Sequence, residues 1–197
     1  QKNLMTKIIG ITGGIGSGKS TLTKQFKNNG FKIFDSDEEV QKLYKKKNKN
    51  LINQLKKIGL GESVKKNNIN KKIIAKIIFS NKNIKTKLEK FIFKIVRKKR
   101  NTYVKKEKNK NTSIIIMDIP LLFENNLDYF FDTIISVVAK RKVRLKRVKL
   151  NKKITKEAFN KILKNQTTDV ERRKRSDIIL ENNSTKKIFL KKVNILI

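Results

Sequence analysis

Gly13-Gly14-Ile15-Gly16-Ser17-Gly18-Lys19-Ser20 is the stretch whose residue types and spacing bear most directly on chemistry. It satisfies G-x-x-x-x-G-K-[ST], with a β-rich run, Lys7–Thr12, before it and a helical pattern, Lys19–Asn29, after it. Glycines at this spacing let backbone N–H groups turn inward around a β-phosphate, and the start of a helix adds positive potential. The Lys19 ammonium would bridge the β- and γ-phosphates, and the Ser20 hydroxyl would take a place on Mg²⁺.

Two further groups have the chemistry to join it. Asp35-Ser36-Asp37 follows a second apolar run, Phe31–Phe34, where a strand of a parallel sheet would present its carboxyl end. A carboxylate there could accept a proton from an attacking hydroxyl or hold Mg²⁺ through water; equally, Asp35 or Ser36 could cap the helix that follows. Asp118 ends the run Ile114–Met117, the position of a strand-end carboxylate facing a magnesium ion. Glu124, soon after, reads either as functional or as part of a solvated turn. Arg141, Arg144, Arg147, Arg172, Arg173 and Arg175 fall in the last third. Arginines on a lid neutralise a transferring phosphoryl group, and Arg147 and Arg172 are the candidates; a solvated basic face accounts for the others.

The absent residue types exclude much else. With no Cys and no His, there can be no disulfide, thiolate or imidazole metal site, Cys nucleophile or His base. The net charge is +35, from 51 Lys+Arg against 16 Asp+Glu. A nucleic-acid surface is one reading. Mutational drift toward A/T-rich codons is the other and the better fit, because Lys far outnumbers the Arg that phosphate readers favour. No apolar run approaches the roughly 20 residues of a membrane span. Gln1–Met5 lacks a signal-peptide core, Met5 reads as a natural start, and the expected compartment is the cytoplasm.

The elements that must position these groups alternate. Strands are expected at Lys7–Thr12, Phe31–Phe34, Ser113–Met117, Thr133–Ala139 and Asp177–Leu180. Helices are expected at Lys19–Asn29, stopped by Gly30, at Glu38–Lys47, and through a helical period from Ile73 to about Lys108. Lys140–Leu150, Thr155–Gln166 and the stretch from Thr185 follow as helices, while Lys45–Lys72 has no readable period. Strands alternating with helices predict an α/β fold with a parallel sheet. On a wheel started at Leu88, the apolar stripe takes in Phe91, Ile92, Ile95 and Val96, and Phe93 falls outside it.

Ile11 through Thr21, Asp35-Ser36-Asp37, Asp118-Ile119-Pro120-Leu121-Leu122-Phe123-Glu124, Gln166, Glu171-Arg172, Ser176-Asp177 and Asn182-Asn183, in that order, resemble the dephospho-CoA kinase family. The resemblance runs from Ile8 to about Asn183. It implies a P-loop NTPase three-layer fold with a parallel core sheet of about five strands, an inserted helical substrate domain and a lid. On this chain the core would be about 5–44, 112–139 and 176–197, the insert about 45–111 and the lid about 140–175. The implied activity is transfer of the ATP γ-phosphate to the ribose 3′-hydroxyl of dephospho-CoA, giving CoA and ADP, the last step of CoA synthesis. By position, Lys19, Asp37 and Arg147 would be catalytic, with Asp37 the base. Gly14, Ile15, Gly16, Ser17, Gly18, Lys19, Ser20, Thr21, Arg147 and Asn182 would bind ATP; Ser20 and Asp118 would serve Mg²⁺. Asp35, Asp37, Phe93 and Leu122 would face dephospho-CoA. Phe93-Lys94 stands where the family usually has His-Pro, Asn151 where it has a second lid arginine, and Ser184 where a Gly follows the Asn pair. Small-molecule substrates, no specific nucleic acid, no membrane, and a monomer or weak homo-oligomer are expected. The alternatives are another P-loop metabolite kinase, of adenylate or shikimate type, or a basic nucleic-acid-binding protein with a vestigial P-loop.

Overall fold

The structure, a computed structural model, describes residues 5–45, 48–152 and 154–197. In chain order the elements are β1 (Lys7–Gly13), α1 (Lys19–Asn28), β2 (Lys32–Asp35), α2 (Ser36–Lys45), α3 (Lys49–Lys57), β3 (Val64–Lys65), β4 (Asn68–Ile69), α4 (Lys71–Ser80) and α5 (Lys82–Lys108). Then come β5 (Ile114–Asp118), β6 (Thr133–Val138), α6 (Arg141–Lys152), α7 (Lys156–Lys164), α8 (Asp169–Arg175), β7 (Ile178–Glu181) and α9 (Lys186–Leu196). The chain divides into two compact units: Gln1–Asp35 with Val104–Ile197, and Ser36–Tyr103.

The first unit is built on a five-stranded sheet in the order β2-β5-β1-β6-β7, with every neighbouring pair parallel. Strands covered on both faces read as continuous apolar runs, which is why Ile114–Met117 and Thr133–Val138 were legible. Ile11, Ile116, Ile135 and Val137 pack with Leu22 and Phe26 of α1 and Phe189 and Val193 of α9 in one buried cluster. Two aspartates start strands: Asp132 accepts from the Ile8 N–H and Asp177 from the Ile134 N–H, each at 2.7 Å. Helix α1 ends in a Schellman turn. The Gly30 N–H reaches the Lys27 carbonyl at 3.1 Å and the Phe31 N–H reaches that of Phe26 at 3.2 Å. Gly30 sits at φ 82, the left-handed region open to Gly, and the Phe26 and Phe31 rings meet edge-on at 5.1 Å.

The second unit holds α2, α3, the β3–β4 hairpin, α4 and α5 as far as Tyr103. Its buried centre is Leu43, Leu51, Leu55, Ile58, Leu60, Ile74 and Leu88. The stretch without a readable period thus contains a helix, α3, and a two-stranded hairpin. The helical period that ran unbroken from Ile73 is in fact two helices. Asn81 is extended (φ −124, ψ 97), and its side chain accepts from the Ile84 N–H at 3.0 Å, so it ends α4 and caps the start of α5. The two units meet in sequence at Ser36 and Val104, where the alternation of strands and helices leads us to expect an insert of about 45–111.

Candidate active site

The sheet register sets the site's first pair of groups. Glycine-rich residues leave the carboxyl end of β1, the central strand, whose Ile11 is the partner of Asp118 on β5; Asp35 on β2 is the partner of Asp118 on the other side. Two carboxylates therefore stand side by side at the carboxyl edge, next to the loop.

Lys19, the first residue of α1, reaches across and donates to Asp118 Oδ1, while Thr23, one turn on, donates to Asp118 Oδ2 at 2.6 Å. Asp118 is 2% exposed, so both oxygens are held by donors from a single helix. Helix α1 can begin where it does because Gly18 precedes it at φ 103. A Cβ there would collide with the Asn182 amide. That amide donates to the Ser17 carbonyl at 2.7 Å and is itself buried.

The remaining contacts to the loop come from α6, from the segment between α7 and α8, and from the segment after β7. Arg147, expected to face the phosphoryl group, donates to the Asn182 carbonyl at 2.9 Å, to Asn182 Oδ1 at 3.1 Å, to the Ser184 carbonyl at 3.2 Å and to the Ser17 carbonyl at 3.4 Å. Its guanidinium thus ties the loop to the segment after β7. Arg144 was assigned to a solvated face. It is 5% exposed instead, and its Nε donates to the Ile15 carbonyl at 2.8 Å. Gln166 accepts from the Ile15 N–H at 3.0 Å. Arg172 is fully buried, donating to Glu124 Oε1 at 3.2 Å and to the Thr167 carbonyl, whose own N–H donates to Glu124 at 2.6 Å. Glu124 is therefore an ion-paired anchor and the solvated-turn reading fails. Burial pushes the Arg144 and Arg172 guanidinia down from their ordinary value, with Asp169 opposing the fall at Arg144, and Glu124 and then Asp169 at Arg172. Burial lowers Arg147 too.

Polar atoms left without partners gather here. Ser17 Oγ, Arg144 Nη2, Arg172 Nε and Glu124 Oε2 are buried and unbonded. For Mg²⁺ the oxygen donors are of the right kind: the Asp118 carboxylate and the exposed Ser20 hydroxyl. Among the described residues no group of three or more His, Cys, Asp or Glu could hold a metal by itself.

Thr21, half-buried, donates its N–H to the Gly18 carbonyl at 3.0 Å within the first turn of α1. Leu122 is fully buried, and its Cδ1 lies 2.9 Å from where a Cβ on Gly10 would stand, so it packs under β1 and does not join the site. Asp37 is exposed in the first turn of α2, and Phe93 is half-buried on α5, both in the second unit. Three residues of the predicted apolar stripe, Phe91, Ile92 and Ile95, pack on that unit's core. The side chains of Asn151 and Lys152, and Lys153 altogether, lie outside the described residues. Thr23, Gln166 and Arg144 were not placed in the site by the sequence. Thr23 was accessible in principle, one helical turn past Lys19.

A family model described as dephospho-CoA kinase matches residues 7–187. A dephospho-CoA kinase from Fusobacterium nucleatum is 39% identical over 188 residues, 94% of this chain and 94% of that protein. Among solved structures, the dephospho-CoA kinase from Campylobacter jejuni matches with a TM-score of 0.73 at 26% identity, covering 98% of this chain and 96% of that one. A shikimate kinase from Acinetobacter baumannii shares the fold at 14% identity, with a TM-score of 0.50 over 98% of this chain and 94% of that one.

Proposed function

The chain belongs to the dephospho-CoA kinase family, and from that premise we propose that it transfers the γ-phosphate of ATP to the ribose 3′-hydroxyl of dephospho-CoA, giving CoA and ADP. The observation that carries this reading is the family match over residues 7–187 on a chain whose P-loop lysine meets a strand-end carboxylate. Phosphoryl transfer needs little covalent help from a protein, so the work is positioning and charge. Gly14–Ser20 would wrap the phosphates with backbone N–H groups. Lys19 would leave Asp118 for the β- and γ-phosphates, a stronger anionic partner. Mg²⁺, held through Ser20 and Asp118, would neutralise charge developing on the phosphates. Asp37 would orient and deprotonate the attacking hydroxyl, with Asp35 as its acidic neighbour. Thr21 and Asn182 would line the nucleotide, and Arg147 would bring its positive charge to the same side. Phe93 would touch dephospho-CoA by stacking or apolar contact. The reading extends to a cytoplasmic enzyme, monomeric or weakly self-associating. No helix among the described residues is long and apolar enough to cross a membrane.

The test is ADP release from MgATP with and without dephospho-CoA, set against shikimate, AMP and gluconate as acceptors. We expect turnover with dephospho-CoA alone and a product heavier by one phosphate on the ribose. Faster turnover with any other acceptor would overturn the assignment.

A further inference from the structure

A P-loop can aim its N–H groups inward only if the carbonyls of the same planar peptides aim outward. Those carbonyls then need donors from outside the loop. Two of them find donors from residues far along the chain. The Ser17 carbonyl takes the Asn182 amide, and the Ile15 carbonyl takes Arg144 Nε at 2.8 Å. Gln166 holds the N–H of Ile15, so the peptides on both sides of that residue are pinned.

Arg144 is itself held in place. Its Nη1 donates to both oxygens of Asp169, at 3.2 and 3.3 Å. Asp169 opens α8, where Thr168 caps the helix by accepting from the Glu171 N–H at 3.2 Å. The guanidinium also lies so near the loop that a Cβ on Gly14 would collide with Nη2. A side chain this buried, paired and close-packed is no member of a solvated basic face.

We propose that Arg144, clamped by Asp169, is a positioning residue for nucleotide binding that fixes the Ile15–Gly16 peptide with its N–H turned to the phosphates. This rests on reading the segment as an ATP site. The Ile15 carbonyl and the Gly16 N–H belong to one peptide group. A cation on the oxygen therefore sets the plane and also polarises the N–H into a better donor. The effect is specific to the phosphates held by the loop and does not extend to the acceptor substrate.

The experiment is calorimetric binding of ADP and AMP to the full chain, with the KM for dephospho-CoA measured alongside. Arg144→Met should weaken ADP roughly tenfold or more, the loss expected for a hydrogen bond to a charged group, and weaken AMP far less. Gly14→Ala keeps the arginine but displaces it from the loop, and should give the same pattern. Asp169→Asn should lose part of the ADP affinity in the wild-type background and none in the Arg144→Met background. ADP binding unchanged in Arg144→Met and in Gly14→Ala would overturn the proposal. Equal loss of ADP, AMP and dephospho-CoA together with a lower melting temperature would overturn it too, by making Arg144 merely structural. Wild-type protein that bound no ADP would instead bring down the nucleotide-site reading, and this inference with it.

Discussion

Lys19 stands at the point where chemistry and stability meet. Its ammonium pairs with Asp118, whose side chain is 3% exposed against 15% for Lys19. Lys19→Ala should remove about two to three decades of transfer rate, the size of one transition-state charge contact. It should also leave the Asp118 carboxylate buried with Thr23 as its remaining partner. Breaking a fully buried pair costs about 3–5 kcal/mol, and the partial exposure of Lys19 lowers that to about 2–3 kcal/mol. Adding Asp118→Asn should then recover most of the melting temperature and none of the rate. A Lys19→Ala protein that melts like wild type and turns over at near its rate would contradict both roles. At Asp37 the expected effect is purely kinetic. Asp37→Asn keeps the size and removes the charge, so kcat should fall while MgATP affinity stays. Weaker MgATP binding with unaltered kcat would make it a ground-state contact. The pairing of Lys19 with Asp118 was legible because a fixed spacing and a strand end single out the two residues. Arg144 was not. Its partner Ile15 lies 129 residues away, and one useful arginine does not stand out among 51 cations.

Helices and strands of the first unit were legible because buried parallel strands read as unbroken Ile/Val runs, and because Gly30 stops α1 by a known device. Gly30→Ala tests that device cleanly. Nothing lies within 4 Å of a Cβ at this position, so strain at φ 82 is the whole effect. We expect a loss of about 1 kcal/mol, read as a lower melting temperature with activity unchanged. No change would mean that the turn tolerates a side chain. The second unit was harder, for a physical reason. Its helices α3, α4 and α5 begin at Asn48, Asn70 and Asn81, whose side chains accept from N–H groups of the first turn. Asn caps are ordinary signals, but in a Lys/Asn-rich stretch a capping Asn has no contrast against its neighbours. The same lack of contrast let one helical period run through Asn81, and hid α8 behind the basic run Arg172–Arg175. Asn70→Ala should remove about 1 kcal/mol, because its side chain accepts from both Lys72 and Ile73.

Across the whole molecule the charge is best understood through the few carboxylates that remain. Asp118 holds Lys19, Glu124 and Asp169 hold buried arginines, and Asp132 and Asp177 start strands. Other carboxylates, Glu38, Glu89, Glu171 and Glu181 among them, lie on the surface, each beside a lysine or arginine. The expectation that this charge is drift, and not a surface that reads nucleic acid, is open to test by salt. A net charge of +35 still has physical consequences. Like charges repel across the compact state, and a basic surface gathers polyanions. Raising salt from about 0.1 M to about 1 M shortens the screening length from about 10 Å to about 3 Å. Self-repulsion between surface lysines should fade over that range, so the melting temperature should rise. The buried pairs around Arg144, Arg172 and Asp118 are screened much less and should change little. Duplex DNA binding should fall steeply over the same titration, with no sequence preference at any point. The association rate of ATP should fall as well, while kcat, set inside the site, should hold. A melting temperature that dropped with salt would mean that exposed ion pairs outweigh repulsion. A sequence-preferring DNA complex that survived physiological salt would show that the basic surface has been selected for nucleic acid.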